Sequence, residues 1–215
     1  MLACSLMAKA QYKVDKLDGK CYMAGACIVE NSTDNDLFAN MVMWVQKSSE
    51  SPGMEMFSKI DYNAHHLEVP VEAKVKNASY TGTLRVDVYA GIIKFRIDEI
   101  VQHTTVLLSS KLTPLEKLQP EKKPAHKAAI AEFEERESEM LRDMLNFTKT
   151  NQLPNITHWD EIRSGKIVMG MNDAECRLAV GKPRMVIDGE DETQWLINGG
   201  MYIFFKKGVV SSIVK

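Results

Sequence analysis

The feature that most constrains this chain is a two-residue alternation of apolar and polar side chains in residues 67–76, 84–88 and 93–98. Successive side chains of a β-strand point to opposite faces, so each segment has one buried face and one wet face. Ala90-Gly91 supplies a turn between the second and third segments, which makes them a hairpin. The pattern predicts an antiparallel sheet with one face open to solvent. Pro70 cannot donate to a ladder and indicates an edge position or a bulge.

Two segments with helical spacing are expected to cover the other face of this sheet. The first follows N-cap residues at 31–34, and its apolar stripe consists of Leu37, Phe38, Met41, Val42 and Val45. The second runs from about Ala125 to Thr148. Its apolar stripe consists of Ile130, Phe133, Met140, Leu141, Met144 and Phe147. Its charged face includes Glu132, Glu134, Glu135, Arg136 and Glu139.

The remaining segments of this first region complete the predicted order β-α-β-β-β-β-α. Residues 20–30 and 56–62 are predicted strands, and the Pro- and Lys-rich residues 109–124 are a predicted connection. Residues 11–150 are therefore predicted to form an α+β domain, with an antiparallel sheet covered by two helices.

The pattern restarts after a linker at 151–155, and residues 156–215 are predicted to form a second, smaller domain with its own core. A short helix at 157–164 ends at Gly165, and Asn172 and Glu175 have the spacing of a capping box. That second helix stops at Gly181 and is closed by Pro183. Three or four strands follow, at 184–188, 193–198, 201–206 and 209–214. The prediction is two helices packed on an antiparallel sheet.

The first ten residues predict export. A short apolar run, Met1 to Met7, precedes Ala8-Lys9-Ala10, and signal peptidase requires small side chains at the two alanine positions. Residues 1–10 are interpreted as the end of a signal peptide cleaved after Ala10. One alternative is a lipoprotein signal in which Cys4 carries the lipid, and another is the frayed N-terminus of a cytosolic protein. Both signal interpretations predict a periplasmic or outer-membrane-associated protein.

Composition narrows the function classes. The formal net charge is −2, from 27 basic and 29 acidic side chains, which argues against a nucleic-acid-binding surface. No apolar run reaches the roughly 20 residues that span a bilayer. Cys21 and Cys27 lie on one predicted strand, about 20 Å apart at ~3.3 Å per residue, beyond the reach of a disulfide. With Cys176 they are interpreted as buried thiols.

No pattern of catalytic or metal-binding residues is recognised. His65 and His66 are adjacent, so on a regular strand they point to opposite faces and cannot share one metal ion. The acidic turn 188–192 lacks the ligand spacing of an EF-hand and is read as a solvated hairpin tip. His158-Trp159-Asp160 is read as helix capping and packing. The chain is therefore predicted to be no enzyme, with no catalytic, cofactor-binding or metal-binding residue and no cofactor.

Residues of roughly 20 to 148 resemble an uncharacterised family of exported proteins from Gram-negative bacteria that has a TATA-binding-protein-like (TBP-like) fold. The resemblance is carried by the segment from Asp36-Leu37-Phe38 to Trp44-Val45 and by the hairpin Leu84 to Ile97. The family has no assigned activity, so the resemblance implies a fold and no site.

Residues 162–213 resemble the small domain shared by SmpA/OmlA outer-membrane assembly lipoproteins and β-lactamase inhibitor protein. The structural motif residues that carry this resemblance are Gly165, Gly170, Gly181, Pro183, Trp195 and Gly208. Ile197 stands where that family usually has Tyr, which places a shared partner surface in doubt. The resemblance implies an envelope location and a protein-binding role.

The sequence therefore predicts a cell-envelope protein that binds or scaffolds another envelope protein, with no nucleic-acid partner and no membrane span. The alternative is an inhibitor of a secreted or periplasmic enzyme. Trp195 has two interpretations, since it can pack in the core beneath a helix or anchor a partner at an interface. The oligomeric state stays open.

Overall fold

The computed structural model describes residues 12–48, 59–75, 78–106, 109–197 and 199–215, so the predicted signal segment lies outside the described residues. The described chain is α+β, with two antiparallel sheets and four α-helices. The strands are β1 (Val14–Leu17), β2 (Lys20–Ile28), β3 (Ile60–Asp61), β4 (His66–Val75), β5 (Ala78–Tyr89), β6 (Ile92–Val106), β7 (Ser109–Pro114), β8 (Met185–Asp188), β9 (Glu192–Ile197), β10 (Met201–Lys206) and β11 (Val209–Val214). The helices are α1 (Asp34–Ser48), α2 (Pro124–Thr150), α3 (Trp159–Arg163) and α4 (Asp173–Val180).

The first seven strands form one sheet in the order β1-β2-β6-β5-β4-β3, with β7 also paired to β6. The long strand β6 pairs with β2 over its first half and with β7 over its second half. A register shift at Thr81/Thr83 in β5 and a positive φ at Glu99 in β6 mark the bend between the two halves. Within the described residues, Pro70 lies on a stretch of β4 paired only with β5, the edge position expected for proline.

Two strands of this sheet were not predicted. The prediction of a connection over 109–124 is wrong for residues 109–114, which form β7. The polar sequence of β7 hides any alternation, and its strand conformation depends on pairing with β6. The hairpin of β1 and β2 turns at Asp18 and Gly19, both with positive φ. Four residues of β1 are too few for a recognisable period.

Helices α1 and α2 cover one face of this sheet and contact each other. Phe133, Leu141 and Met144 of the α2 stripe are buried against it, as the spacing predicted. The prediction for Glu134 is wrong, because this residue of the expected charged face is buried. Its carboxylate accepts hydrogen bonds from Lys13 Nζ at 2.8 Å and from the Val14 backbone N–H at 2.9 Å, which fixes β1 to the helix.

The last four strands form a second sheet in the order β11-β10-β9-β8, with α3 and α4 on one side. The capping box of α4 is confirmed: Glu175 N–H donates to Asn172 Oδ1, and Asn172 N–H donates to Glu175 Oε2. Trp195 is buried beneath the helices, with the Arg177 guanidinium 4.8 Å from its ring centroid. Of its two interpretations, core packing is the one the structure supports.

The prediction of two independent cores is wrong, because the buried side chains of both regions form one continuous cluster. Two side chains of the first region also donate hydrogen bonds to carbonyls in the last turn of α4. Gln46 Nε2 donates to the Arg177 carbonyl at 2.9 Å, and the buried Tyr62 hydroxyl donates to the Leu178 carbonyl at 2.6 Å. Each sheet thus depends partly on the other region for its packing.

Candidate protein-binding face

Within the described residues, the second sheet has one face covered by helices and one face without them. Its register aligns Val186, Trp195 and Ile203, and the last two are buried beneath the helices. The residues between these positions therefore point to the opposite side. We call this side the open face and define it by Met185, Ile187, Leu196, Tyr202, Phe204 and Val214.

The open face is apolar across all four strands. Met185 is 45% exposed, Ile187 48%, Tyr202 37% and Val214 49%, while Leu196 and Phe204 between them are partly buried. Single exposed apolar side chains are ordinary on protein surfaces, whereas a contiguous group of them marks an interaction surface. Gln194 and Ser212 interrupt the group, and Glu192 and Lys206 are paired in register at one end. An apolar centre with a polar border is the usual composition of a protein interface.

Strand β8 forms one edge of this sheet. Within the part of the chain that the structure describes, it pairs only with β9. All four of its residues are exposed, including Val186, which lies on the same side of the sheet as Trp195. Its outer backbone groups are therefore accessible to another strand.

The outer face of the large sheet has a different character, because its charged side chains pair with each other. Arg85 donates to Glu68 at 2.9 Å and to Asp98, and Asp98 also pairs with Arg96 at 3.1 Å. The Arg96 guanidinium lies 4.6 Å from the Tyr22 ring centroid. Hydrogen bonding to Arg85 contributes most to holding the pKa of Glu68 below its usual range. Positive and negative side chains alternate on this face and form ion pairs with each other.

Surface hollows on the described part of the chain also contain titratable groups, and two of them are the largest described. One of about 480 Å³ is lined by Lys59, Asp61, His66, Glu68 and Arg163 among others. Asp61 accepts backbone hydrogen bonds from Ala64 and Asn63, which lower the pKa of its carboxyl. The other, of about 810 Å³, lies between the first hairpin and the start of α2, where lysines and acidic side chains surround Leu115 and Ile130. In both hollows cationic and anionic side chains are mixed, so neither selects one sign of ligand charge.

The two histidines of the His65-His66 pair have separate partners. His65 Nε2 lies 2.8 Å from Asn35 Oδ1, and His66 Nδ1 lies 2.7 Å from Asp87 Oδ1. Among the described residues there is no group of three or more His, Cys, Asp or Glu side chains placed to hold a metal ion. No helix in the described ranges is long and apolar enough to cross a membrane.

The motif residues predicted for the second domain occupy turns and core positions. Gly165, Gly170, Gly181 and Gly208 all have positive φ, a conformation that glycine adopts at low cost. Gly181 caps α4 by donating to the Arg177 carbonyl, and Gly208 follows Lys207 in the turn between β10 and β11. Pro183 is buried just beyond α4. These residues shape the second region, and the open face does not include them.

Glu175 is a buried carboxylate that sequence reasoning assigned only to the helix cap. Its Oε1 atom accepts from the Thr157 N–H at 2.6 Å, the His158 N–H at 3.1 Å and the His158 ring Nδ1 at 3.0 Å. Burial raises the pKa of this carboxyl. The hydrogen bonds from Thr157, His158 and Asn172 together lower it by more, so the pKa lies below its ordinary value. Glu175 thereby fixes the linker to α4, which is a structural role.

The described cysteines Cys21, Cys27 and Cys176 are free and buried, as the sequence indicated. Burial raises the pKa of the Cys176 thiol to about 12, and it also raises that of Cys21. A thiol that stays protonated at neutral pH is a poor nucleophile, so Cys176 is a packing residue.

The open face was missed at the sequence level, although a signal was present. In β10, Met201 to Phe205 are five consecutive apolar residues, so both faces of this strand are apolar. A strand in a two-layer domain normally alternates, and loss of alternation means that both faces need cover. The same applies to Met185-Val186-Ile187 in β8.

Comparison with solved structures adds information about the fold. A TBP-like protein from Parabacteroides distasonis ATCC 8503 superimposes with a TM-score of 0.51 over 64% of this chain and 98% of that chain, at 12% identity. The N-terminal region has a TBP-like fold. A DUF4468 family protein from Bacteroides ovatus ATCC 8483 aligns over 66% of this chain and 94% of its own, with a TM-score of 0.43 and 10% identity. No family model and no curated protein matches the chain.

Proposed function

We propose that this chain is a non-enzymatic binding protein of the cell envelope, and that it holds another envelope protein on the open face. The observation that carries the proposal is the contiguous apolar surface across four strands, with Met185, Ile187, Tyr202 and Val214 each more than a third exposed. Burial of such side chains against a partner is favourable by roughly 25 cal/mol per Å² of apolar area.

The contrast between the two sheets supports the same assignment. On the large sheet the outer face carries charges that are already paired, as in the Arg85 and Asp98 pair. On the small sheet the open face offers apolar side chains, which have little to gain from water. A partner would therefore bind the small sheet, through shape and apolar contact.

The envelope location rests on the sequence. Ala8-Lys9-Ala10 fits a signal peptidase site, and the resemblance of residues 162–213 to SmpA/OmlA domains suggests the same compartment. The helix-backed antiparallel sheet of this region is compatible with that resemblance. Enzyme inhibition, the second prediction from the sequence, would need the same kind of contact.

Site-specific photo-cross-linking in the native host tests the proposal. A benzophenone side chain replaces Tyr202 on the open face or, as a matched control, Tyr89, which is 42% exposed on the large sheet. We expect one defined cross-linked partner from position 202 and none from position 89. Tyr202→Glu should weaken that complex at least about 30-fold, as for an interface hot spot of about 2 kcal/mol.

The proposal fails if position 202 gives no cross-link, or if both positions give the same products. The identity of the captured protein distinguishes a structural envelope partner from a secreted or periplasmic enzyme. In the second case, inhibition of the purified enzyme by this chain and its loss in Tyr202→Glu would establish the inhibitor function.

A further inference from the structure

The exposed edge strand β8 has a charge pattern that fits a second copy of itself. Arg184 precedes the strand, Asp188 ends it, and Met185-Val186-Ile187 lie between them. We propose that two copies of this chain associate through β8 in an antiparallel pair centred on Val186. The two small sheets then join into one eight-stranded sheet.

The backbone supports this centre of symmetry. The Gly189 N–H donates to the Glu192 carbonyl of β9 at 2.9 Å. In an antiparallel ladder, residues that bond to one neighbour alternate with residues whose groups point away. Ile187 and Met185 therefore bond to β9, and the N–H and C=O of Val186 and Asp188 point outward. Val186 can then exchange two hydrogen bonds with Val186 of the second copy.

The charges support the antiparallel direction. Pairing around Val186 places Arg184 of each copy opposite Asp188 of the other, which gives two symmetric ion pairs. A parallel arrangement would place Arg184 beside Arg184, and like charges directly opposite each other are destabilising. Charge complementarity therefore selects a closed two-fold dimer, in which each surface meets its own copy.

The side chains support it as well. The same register places Met185 opposite Ile187 of the second copy, and both lie on the open face. The two open faces then lie on the same side of the joined sheet and form one continuous apolar surface. This inference goes beyond the proposed function and does not depend on it, since a monomer can use its open face equally well.

Sedimentation equilibrium of the full chain over a range of concentrations tests the dimer. We expect a reversible monomer–dimer equilibrium in the wild type, and a monomer at every concentration for Val186→Pro. Proline removes the outward N–H, which has no role in the ladder with β9, so the variant should keep its fold. Val186→Thr keeps the N–H and is the matched control, and it should associate like the wild type. Circular dichroism confirms that each variant is folded.

Charge reversal gives a second, independent readout. Arg184→Glu alone or Asp188→Lys alone places like charges opposite each other twice, and each should weaken association about tenfold. An equimolar mixture of the two single variants restores both attractive pairs, and so does the double variant, so both should associate as tightly as the wild type.

Three results would overturn the proposal. They are a wild-type chain that stays monomeric, association that survives in Val186→Pro, and assemblies larger than a dimer. The last would indicate a head-to-tail contact of β8 with a different surface, which leaves a free edge at each end and extends indefinitely. Failure of the cross-linking experiment at Tyr202 would leave these outcomes unchanged, so the two proposals are tested separately.

Discussion

Replacement of Glu137 by glutamine should stabilise the protein at alkaline pH and leave it unchanged at acidic pH. Glu137 lies in the apolar stripe of α2, one turn after Phe133 and one turn before Leu141. Its side chain is buried, with 3% of the residue exposed, and its Oε2 atom has no hydrogen-bond partner among the described residues. Burial raises the pKa of this carboxyl to about 7, from an ordinary value of 4.5.

The sign of the effect follows from which state holds the proton. Below the pKa of the unfolded state, the Glu137 carboxyl is protonated in both the folded and the unfolded protein. It is then neutral, and its burial costs little free energy. Between the two pKa values the unfolded chain releases its proton and the folded chain keeps it, so stability falls as pH rises. Above the folded-state pKa of Glu137, the loss of stability reaches its full value. At about 1.4 kcal/mol per pKa unit, it amounts to about 3 kcal/mol.

Urea unfolding followed by tryptophan fluorescence at pH 4 and pH 8 measures this difference. Glu137→Gln should match the wild type at pH 4 and exceed its free energy of unfolding by about 3 kcal/mol at pH 8. Glu135→Gln, an exposed position on the same helix, is the control and should show no pH-dependent difference. Equal effects of Glu137→Gln at both pH values would refute the reasoning, because a buried ionised carboxylate would then not be the cause.

Two further predictions concern the junction between the regions. Glu175→Ala removes the buried acceptor of the Thr157, His158 and Asn172 N–H groups and should lower the free energy of unfolding by about 3 kcal/mol at pH 7. Because the folded pKa of Glu175 is lowered, this difference should shrink as the pH falls below 4.5, and a constant difference in urea unfolding would contradict it. Tyr62→Phe leaves the Leu178 carbonyl without its 2.6 Å hydroxyl donor and should destabilise the protein by about 2 kcal/mol in the same assay. An unchanged free energy of unfolding would show that this bond does not couple the regions.

Much of the fold is predictable because its elements follow single periods. The polar–apolar alternation in residues 84–97 repeats over several residue pairs, and the apolar stripe of α2 repeats over several helical turns. Both sequence patterns are therefore long enough to identify the element. The capping box of α4 and the positive-φ glycines are local chemistry, which sequence reports directly. These features require no knowledge of distant residues.

The missed features depend on distant partners. Strand β7 exists because β6 continues past its bend and leaves an unpaired side. Glu134 is buried because the first hairpin brings Lys13 and Val14 to it, at least 120 residues away in sequence. The joined core likewise depends on Tyr62 reaching α4. None of these contacts has a periodic signature.

The open face could not be assigned from sequence because an apolar strand has two explanations. A run such as Met201 to Phe205 is expected in a strand buried on both sides and equally in a strand that meets a partner. Only the position of α3 and α4, which both lie on the Trp195 side of the sheet, distinguishes these two explanations. The described chain supplies no cover for the open face, and its edge strand β8 carries opposite charges at its two ends. Partner binding across the face uses the apolar side chains of the open face, whereas self-pairing along the edge uses the outward backbone groups of β8 and the Arg184 and Asp188 side chains. One chain can carry both without competition.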